Sequence, residues 1–245
     1  MSAFDLFVFH CPQCKAEIVW RRLKNDAISY TELYSDGKMI CDGVVATDHQ
    51  LVICPSCAHP FWLTNSINLL PPEQIQDMEL AYPFQSWYMF GADLQKTEGI
   101  LALIGRLTNL LAVMKPYTNE QEIYLRKLLL WAYNDLVRNH HLRAAFHLLH
   151  PFAYVQEIIN HRQRLKQFRK RHTNYVANII RLIELLRIQE DKAATRTFIA
   201  ELYREKGNHA RCLELLEAVS WSTYFTSEIK EKATAKCALV FKVAG

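Results

Sequence analysis

The sequence predicts an α+β fold. We expect a β-rich N-terminal domain over about residues 1–66, a linking segment over 67–92 and an all-α domain of helical hairpins over about 93–245. Short runs of β-branched and aromatic residues dominate the first part, whereas apolar residues recur with helical spacing from about residue 93 onward. A chain of 245 residues, half of them hydrophobic, is long enough for one small and one medium domain.

A tight turn is predicted in the middle of the N-terminal domain. The sequence Ser35-Asp36-Gly37-Lys38 separates a β-prone run over 27–34 from a shorter run over 39–41. Asp-Gly tolerates the positive φ that hairpin turns need, so these runs are expected to form a hairpin within the N-terminal domain.

Four of the seven cysteines form two CPxC tetrapeptides, Cys11-Pro12-Gln13-Cys14 and Cys54-Pro55-Ser56-Cys57. A CxxC turn places two sulfurs on one side of a metal ion, and two such turns complete the tetrahedral shell of zinc. We therefore predict a zinc ribbon with one structural Zn²⁺ per chain. Its ligands are Cys11, Cys14, Cys54 and Cys57. Iron is a second option, and a CxxC redox pair is a weaker one.

The two cysteine pairs are unusually far apart. Residues 15–53, 39 in all, separate them, against a usual spacing of 15–20. The predicted hairpin accounts for the insertion. Cys41 is expected in the hairpin core rather than on the metal. The flanking residues His10 and His59 remain open as substitute ligands.

Helical spacing organises the rest of the chain. Pro116 and Pro151 are expected to end helices, and Thr173-Asn174 is a candidate cap that would split the long stretch after residue 151 in two. The predicted helices cover about 100–114, 119–139, 143–149, 155–186, 193–206, 210–219 and 226–243.

The segment 196–219 fits one tetratricopeptide unit. Small, aromatic and turn-forming residues fall at the positions that such a helix–turn–helix needs. They are Ala200, Tyr203, Gly207, Cys212 and Leu216. A self-supporting array normally needs three or more units, so a plain helical bundle remains an alternative.

Several segments together resemble a group of bacterial zinc-ribbon proteins with tetratricopeptide-like tails. They are the paired CPxC motifs, Ser-Asp-Gly-Lys between them, Phe61-Trp62-Leu63, Tyr124-Leu125-Arg126, Trp131-Ala132-Tyr133-Asn134-Asp135 and Glu201-Leu202-Tyr203-Arg204-Glu205-Lys206-Gly207. The resemblance implies the domain order and the zinc, and it implies no defined activity. Lys15 and Ala58 stand where such knuckles often carry glycine.

Positive charge is concentrated in one predicted helix. The net charge is +4, and six cations lie within residues 161–172: Arg162, Arg164, Lys166, Arg169, Lys170 and Arg171. They form either a solvated helix face or a site for an acidic protein, for nucleic acid or, least favoured, for a membrane surface. Phe168 is the one aromatic residue there, which is few for stacking on single strands.

The sequence favours a non-enzymatic adaptor whose helical domain presents a face to another protein. No catalytic motif or phosphate-binding glycine loop is present. Nucleic-acid binding through 161–172 is one alternative, although the ribbon itself is slightly acidic. A component of a bacterial multiprotein assembly of the secretion type is another. Without a secretory signal or an apolar run long enough to span a bilayer, we expect a cytoplasmic protein.

Overall fold

The structure is a computed structural model, and it confirms the α+β fold, with short antiparallel strands ahead of the helices. It describes residues 4–23, 32–41, 44–46, 51–62, 68–69, 96–114, 118–138, 151–189, 192–219 and 223–244. The chain divides into two compact units. The N-terminal unit comprises Met1–Thr31 with Met39–Ala92, and the helical unit comprises Glu32–Lys38 with Asp93–Gly245.

The N-terminal unit is built from antiparallel hairpins. Its strands are β1 Phe4–His10, β2 Glu17–Leu23, β4 Met39–Cys41, β5 Val44–Ala46, β6 Leu51–Ile53, β7 Pro60–Trp62 and β8 Asn68–Leu69. Strand β1 pairs with β2 on one side and β8 on the other, β4 pairs with β5, and β6 pairs with β7. Phe9, Ile18 and Val52 form a small core beside Cys11 and Cys54.

Six α-helices lie in the described part of the helical unit. They are α1 Thr97–Val113, α2 Asn119–Asp135, α3 Pro151–Leu186, α4 Ala193–Glu205, α5 His209–Glu217 and α6 Tyr224–Thr234. Thr118 begins α2 with a reciprocal capping box to Gln121. Gly207, at φ +87°, allows the turn between α4 and α5.

Two helix predictions need correction. Helix α3 runs unbroken through Thr173-Asn174, because both side chains are exposed and the apolar spacing continues beyond them with the buried residues Tyr175 and Ile179. The predicted helix 226–243 ends at Thr234.

Beyond α6 the chain turns through Lys236, which adopts φ +53°. It then forms strand β9, Lys242–Ala244, which pairs with strand β3, Glu32–Tyr34. The predicted helix 143–149 lies outside the described residues.

The Ser-Asp-Gly-Lys turn forms as predicted, and the N–H of Tyr34 donates to the carbonyl of Lys38 at 2.9 Å. Residues 32–38 belong to the helical unit, however, and not to the N-terminal domain in which the sequence analysis places them. Besides the β3–β9 pairing, the N–H of Ser35 donates to the carbonyl of Phe241 at 2.9 Å, and the N–H of Phe241 donates to Ser35 Oγ at 3.2 Å. The turn is therefore held by the far end of the chain.

Candidate metal centre

The four predicted ligands come together at one point. The sulfurs of Cys11, Cys14, Cys54 and Cys57 all lie within 4.8 Å of one another. Cys11 Sγ is 3.7 Å from Cys57 Sγ, and Cys14 Sγ is 3.5 Å from Cys54 Sγ. A tetrahedron with metal–sulfur bonds of about 2.3 Å has edges of about 3.8 Å, so this cluster can hold a metal ion.

The same backbone pattern shapes both knuckles. The N–H of Lys15 donates to the carbonyl of Cys11, and the N–H of Ala58 donates to the carbonyl of Cys54, both at 2.9 Å. Each knuckle joins two antiparallel strands, β1 to β2 and β6 to β7. The first cysteine of each pair is buried and the second is exposed. One edge of the cluster therefore packs on the small core while the other faces solvent.

The residues after the knuckles adopt a glycine-like conformation. Lys15 has φ 62° and Ala58 has φ 58°, which is the left-handed region. These are the two positions, directly after the second cysteine, where zinc knuckles often carry glycine. Side chains at such positions cost about 1–2 kcal/mol.

Replacing Ala58 by glycine is expected to stabilise the metal-loaded N-terminal unit by about 1 kcal/mol, because relief of the left-handed strain exceeds the entropy cost of glycine. Ala58 is exposed, so no packing is lost. Chemical denaturation would measure the change. The control is Ala102→Gly, at an exposed position inside α1. It should lower the free energy of unfolding by about 1 kcal/mol. Destabilisation by both substitutions would contradict the prediction.

The thiols influence one another. Desolvation opposes ionisation of Cys54, but the backbone N–H groups of Cys57 and Ser56 outweigh it and lower the pKa of Cys54 to about 6. At Cys57 the N–H of His59 favours the thiolate, yet desolvation and the neighbouring sulfurs raise the pKa to about 12. Cys57 therefore resists ionisation beside the other sulfurs. A bound metal ion would favour its thiolate form.

Other groups near the knuckles do not join the cluster. His10 is exposed and His59 is half-buried, and among the described residues only the four cysteines bring their ligand atoms together. The side chain of Cys41, in β4, lies outside what the structure describes. All ligands in the set are thiolates, a donor set that suits zinc or iron.

The structure also assembles a buried polar cluster that the sequence did not predict. We call it the Asp36 cluster; its members are Asp36, Lys38, Asn134, Asp135, Arg138, Tyr175 and Glu205, all buried. The carboxylate of Asp36 accepts hydrogen bonds from Arg138 and, at 2.8 Å, from Asn134. The Asp36 carbonyl accepts from Trp131 Nε1 at 2.9 Å. The turn is thus embedded in the helical unit.

Ion pairs surround this turn. Lys38 Nζ lies 2.7 Å from both carboxylate oxygens of Asp135, and Arg138 Nε donates to Asp135 Oδ1 at 2.7 Å. Burial opposes ionisation of Asp135, but Lys38 and Arg138 outweigh it and lower its pKa. The Arg138 guanidinium also stacks 4.2 Å from the Tyr34 ring.

Glu205 closes the cluster on the α4 side. Its Oε2 accepts from Tyr175 at 2.7 Å and from Asn134 at 3.1 Å, while Oε1 has no hydrogen-bond partner among the residues that the structure describes. Complete burial, followed by the charges of Glu201 and Asp36, raises the pKa of Glu205 well above its usual range. Glu201 itself forms a fully buried ion pair with Arg204 at 2.6 Å. Glu205 therefore stays protonated where free glutamate ionises.

Replacing Glu205 by glutamine is expected to stabilise the helical unit at pH 8 and to have little effect at pH 4. Glu205 binds a proton on folding. Its contribution to stability is fully present below the unfolded pKa and is lost as the pH rises through the folded pKa. Each pH unit between these two values is worth about 1.4 kcal/mol.

Unfolding midpoints across this pH range would measure the effect. Glu201→Gln is the control, since it removes a charge from a buried ion pair and should destabilise at pH 8. Equal destabilisation by both substitutions at pH 8 would contradict the protonated state of Glu205.

A sequence signal for the Asp36 cluster existed. Asn134, Asp135, Arg138 and Glu205 interrupt or extend the buried faces of α2 and α4, where apolar residues are usual. Their positions alone do not show that they contact the Ser-Asp-Gly-Lys turn.

The predicted basic run separates into two faces of α3. Arg162, Lys166, Arg169 and Lys170 are exposed. Arg164 and Arg171 are half-buried; Arg164 lies 3.4 Å from Thr97 Oγ1, and Arg171 donates to Gln167 Oε1 at 2.5 Å. Only four of the six predicted binding residues therefore share the open face.

Comparisons of the chain with protein families, with curated proteins and with solved structures gave no match. Across the described residues, no helix combines the length and apolarity needed to cross a membrane.

Proposed function

We propose that this chain is a non-enzymatic zinc-binding adaptor, in which zinc holds the N-terminal unit folded and the helical unit binds another protein. The observation that carries the proposal is the closed ligand set. Four thiolates fill the tetrahedral shell of zinc, and a catalytic zinc normally keeps one position for water or substrate. Reduced thiolates also favour a reducing compartment, which supports a cytoplasmic location.

The helical unit supplies the features of an interaction domain. In the α4–α5 hairpin the small residues Ala200 and Cys212 are fully buried, and Tyr203 and Leu216 are buried as well. This supports the tetratricopeptide-like interpretation, because small residues let paired helices approach closely. The buried charges of the unit are largely satisfied internally, so its outer helix faces are the surfaces left for a partner.

Two measurements test the proposal. Elemental analysis of protein purified without chelator should find one zinc per chain. Affinity capture from a native lysate, followed by chemical cross-linking, should return a protein whose cross-links map to residues 96–244. Absence of zinc would contradict the proposed metal binding. Capture of no protein, or cross-links confined to residues 4–69, would contradict the proposed adaptor function.

A further inference from the structure

One face of α3 is both exposed and chemically mixed. We call Val155, Ile159, Arg162, Lys166, Arg169 and Lys170 the α3 face. At 100° per residue they fall within an arc of about 100°. Val155 and Ile159 expose 54% and 51% of their surface, and the four cations are exposed as well. From residue 155 to residue 170 the face extends for about 23 Å, roughly four helical turns.

The cations of the α3 face are free to bind an anion. No residue in the described ranges forms an ion pair with Arg162, Lys166, Arg169 or Lys170. Together with Leu165 they line an open cavity of about 520 Å³. By contrast, Arg181, further along α3, is held by Glu122 at 3.0 Å and Glu184 at 3.2 Å. The cations of the α3 face that lack an acidic partner among the described residues thus lie between residues 162 and 170, ahead of Arg181.

We propose that the α3 face binds an acidic amphipathic helix of a protein partner, about four turns long. This deepens the proposed function and rests on it. Carboxylates of the partner would meet the four cations, and its aliphatic side chains would cover Val155 and Ile159. Helix-on-helix recognition uses such a stripe of anchors at i, i+4 and i+7. The charges set orientation and association rate, and the apolar pair adds buried area.

The chemistry of the face favours a protein over nucleic acid. Phe168 is half-buried and makes an edge-to-face contact with Tyr175, with the ring centroids 5.0 Å apart, on the opposite side of the helix, so it offers no platform for a base. Two exposed aliphatic side chains gain nothing from phosphate. Two aliphatic residues are also too small an apolar surface to anchor the helix in a lipid headgroup layer, so the face favours a protein over a membrane.

The test uses a synthetic 16-residue peptide that carries glutamate and leucine on one helical face. Its control has the same composition, with those residues distributed all round the helix. Full-length zinc-loaded protein would be titrated with each peptide by fluorescence anisotropy. A 20-nucleotide single strand, a 20-base-pair duplex and phosphatidylserine vesicles serve as the other probes.

The amphipathic peptide is expected to bind best, and more weakly at higher salt. Arg162→Glu with Lys166→Glu should weaken binding about ten-fold, as should Val155→Ser with Ile159→Ser. The matched control is Lys192→Glu with Lys230→Glu, two exposed cations elsewhere, which should leave binding unchanged. Circular dichroism would verify that every variant keeps its helices.

Equal binding of the two peptides, or tighter binding of nucleic acid or vesicles, would overturn the inference. So would a lysate partner that the Arg162→Glu, Lys166→Glu variant still captures, although the proposed adaptor function would then stand. If the peptide binds as expected and no lysate partner is captured, the adaptor proposal fails on its own test.

Discussion

Replacing Cys54 by serine is expected to unfold the N-terminal unit and to leave most of the helical content intact. The described core of that unit consists of a few side chains, Phe9, Ile18 and Val52 among them, packed around Cys11 and Cys54. A metal bound by four thiolates contributes of order 10 kcal/mol to folding in small zinc domains, far more than such a core can replace. Loss of one ligand opens the shell and removes most of that contribution.

The measurement combines zinc content, circular dichroism at 222 nm and hydrogen exchange. Zinc should fall well below one per chain, and protection should disappear from β1, β2, β6 and β7. Residues 32–38 should stay protected, because their contacts lie within the helical unit. Cys237→Ser, at a partly exposed thiol outside the cluster, is the control and should keep both zinc and strands. Loss of all helical signal with Cys54→Ser would show instead that the two units fold together.

The metal site could be predicted from the sequence because its four ligands lie in two short motifs. Each CPxC motif contains two of the four ligands. The spacing between the motifs matters little, because each knuckle is closed by its own hydrogen bonds, such as the one from the Lys15 N–H to the Cys11 carbonyl. The helices α1, α2, α4 and α5 could also be predicted from the helical spacing of apolar residues, with proline and glycine marking their ends, and α3 could be predicted apart from the candidate break at Thr173-Asn174. Their bounds differ from the predictions by a few residues.

The packing of residues 32–38 within the helical unit could not be predicted in the same way. Asp-Gly correctly predicts a turn, with Gly37 at φ +77°. It says nothing of what the turn contacts, and its partners Trp131, Asn134 and Arg138 are 95 to 102 residues away. Charged residues are usually exposed, so Asp36 and Lys38 were not expected in a core. Only the positions of polar residues on otherwise buried helix faces hinted at their partners.

The prediction of a single helix over 226–243 is wrong for a related reason. Residues 226–243 keep enough apolar spacing to suggest one helix, and the break at Lys236 lacks glycine or proline. The strand β9 is stabilised by β3, a partner more than 200 residues earlier. Periodicity describes what a segment can do alone, whereas pairing across the chain decides what it does.

Replacing Asp36 by alanine is expected to destabilise the helical unit by about 3–5 kcal/mol. The substitution removes one carboxylate and leaves Arg138, which is almost fully buried, with fewer partners; Nη1 of Arg138 already has none. An uncompensated charge in a buried site costs far more than the pair contributes when intact. Asn134 loses one acceptor as well, while Lys38 keeps its pair with Asp135.

A matched variant at the surface separates the effect of breaking a buried ion pair from the effect of simply removing a carboxylate. Glu184→Ala breaks the ion pair with Arg181. The side chains of Glu184 and Arg181 are 53% and 45% exposed, so water screens the pair, and its loss should lower the free energy of unfolding by at most about 1 kcal/mol. Urea denaturation followed at 222 nm would compare the two. If both cost about the same, Asp36 would not be the centre of the cluster. Adding Arg138→Met to Asp36→Ala should recover part of the loss, because it removes the stranded charge, and a double-mutant cycle would measure their coupling.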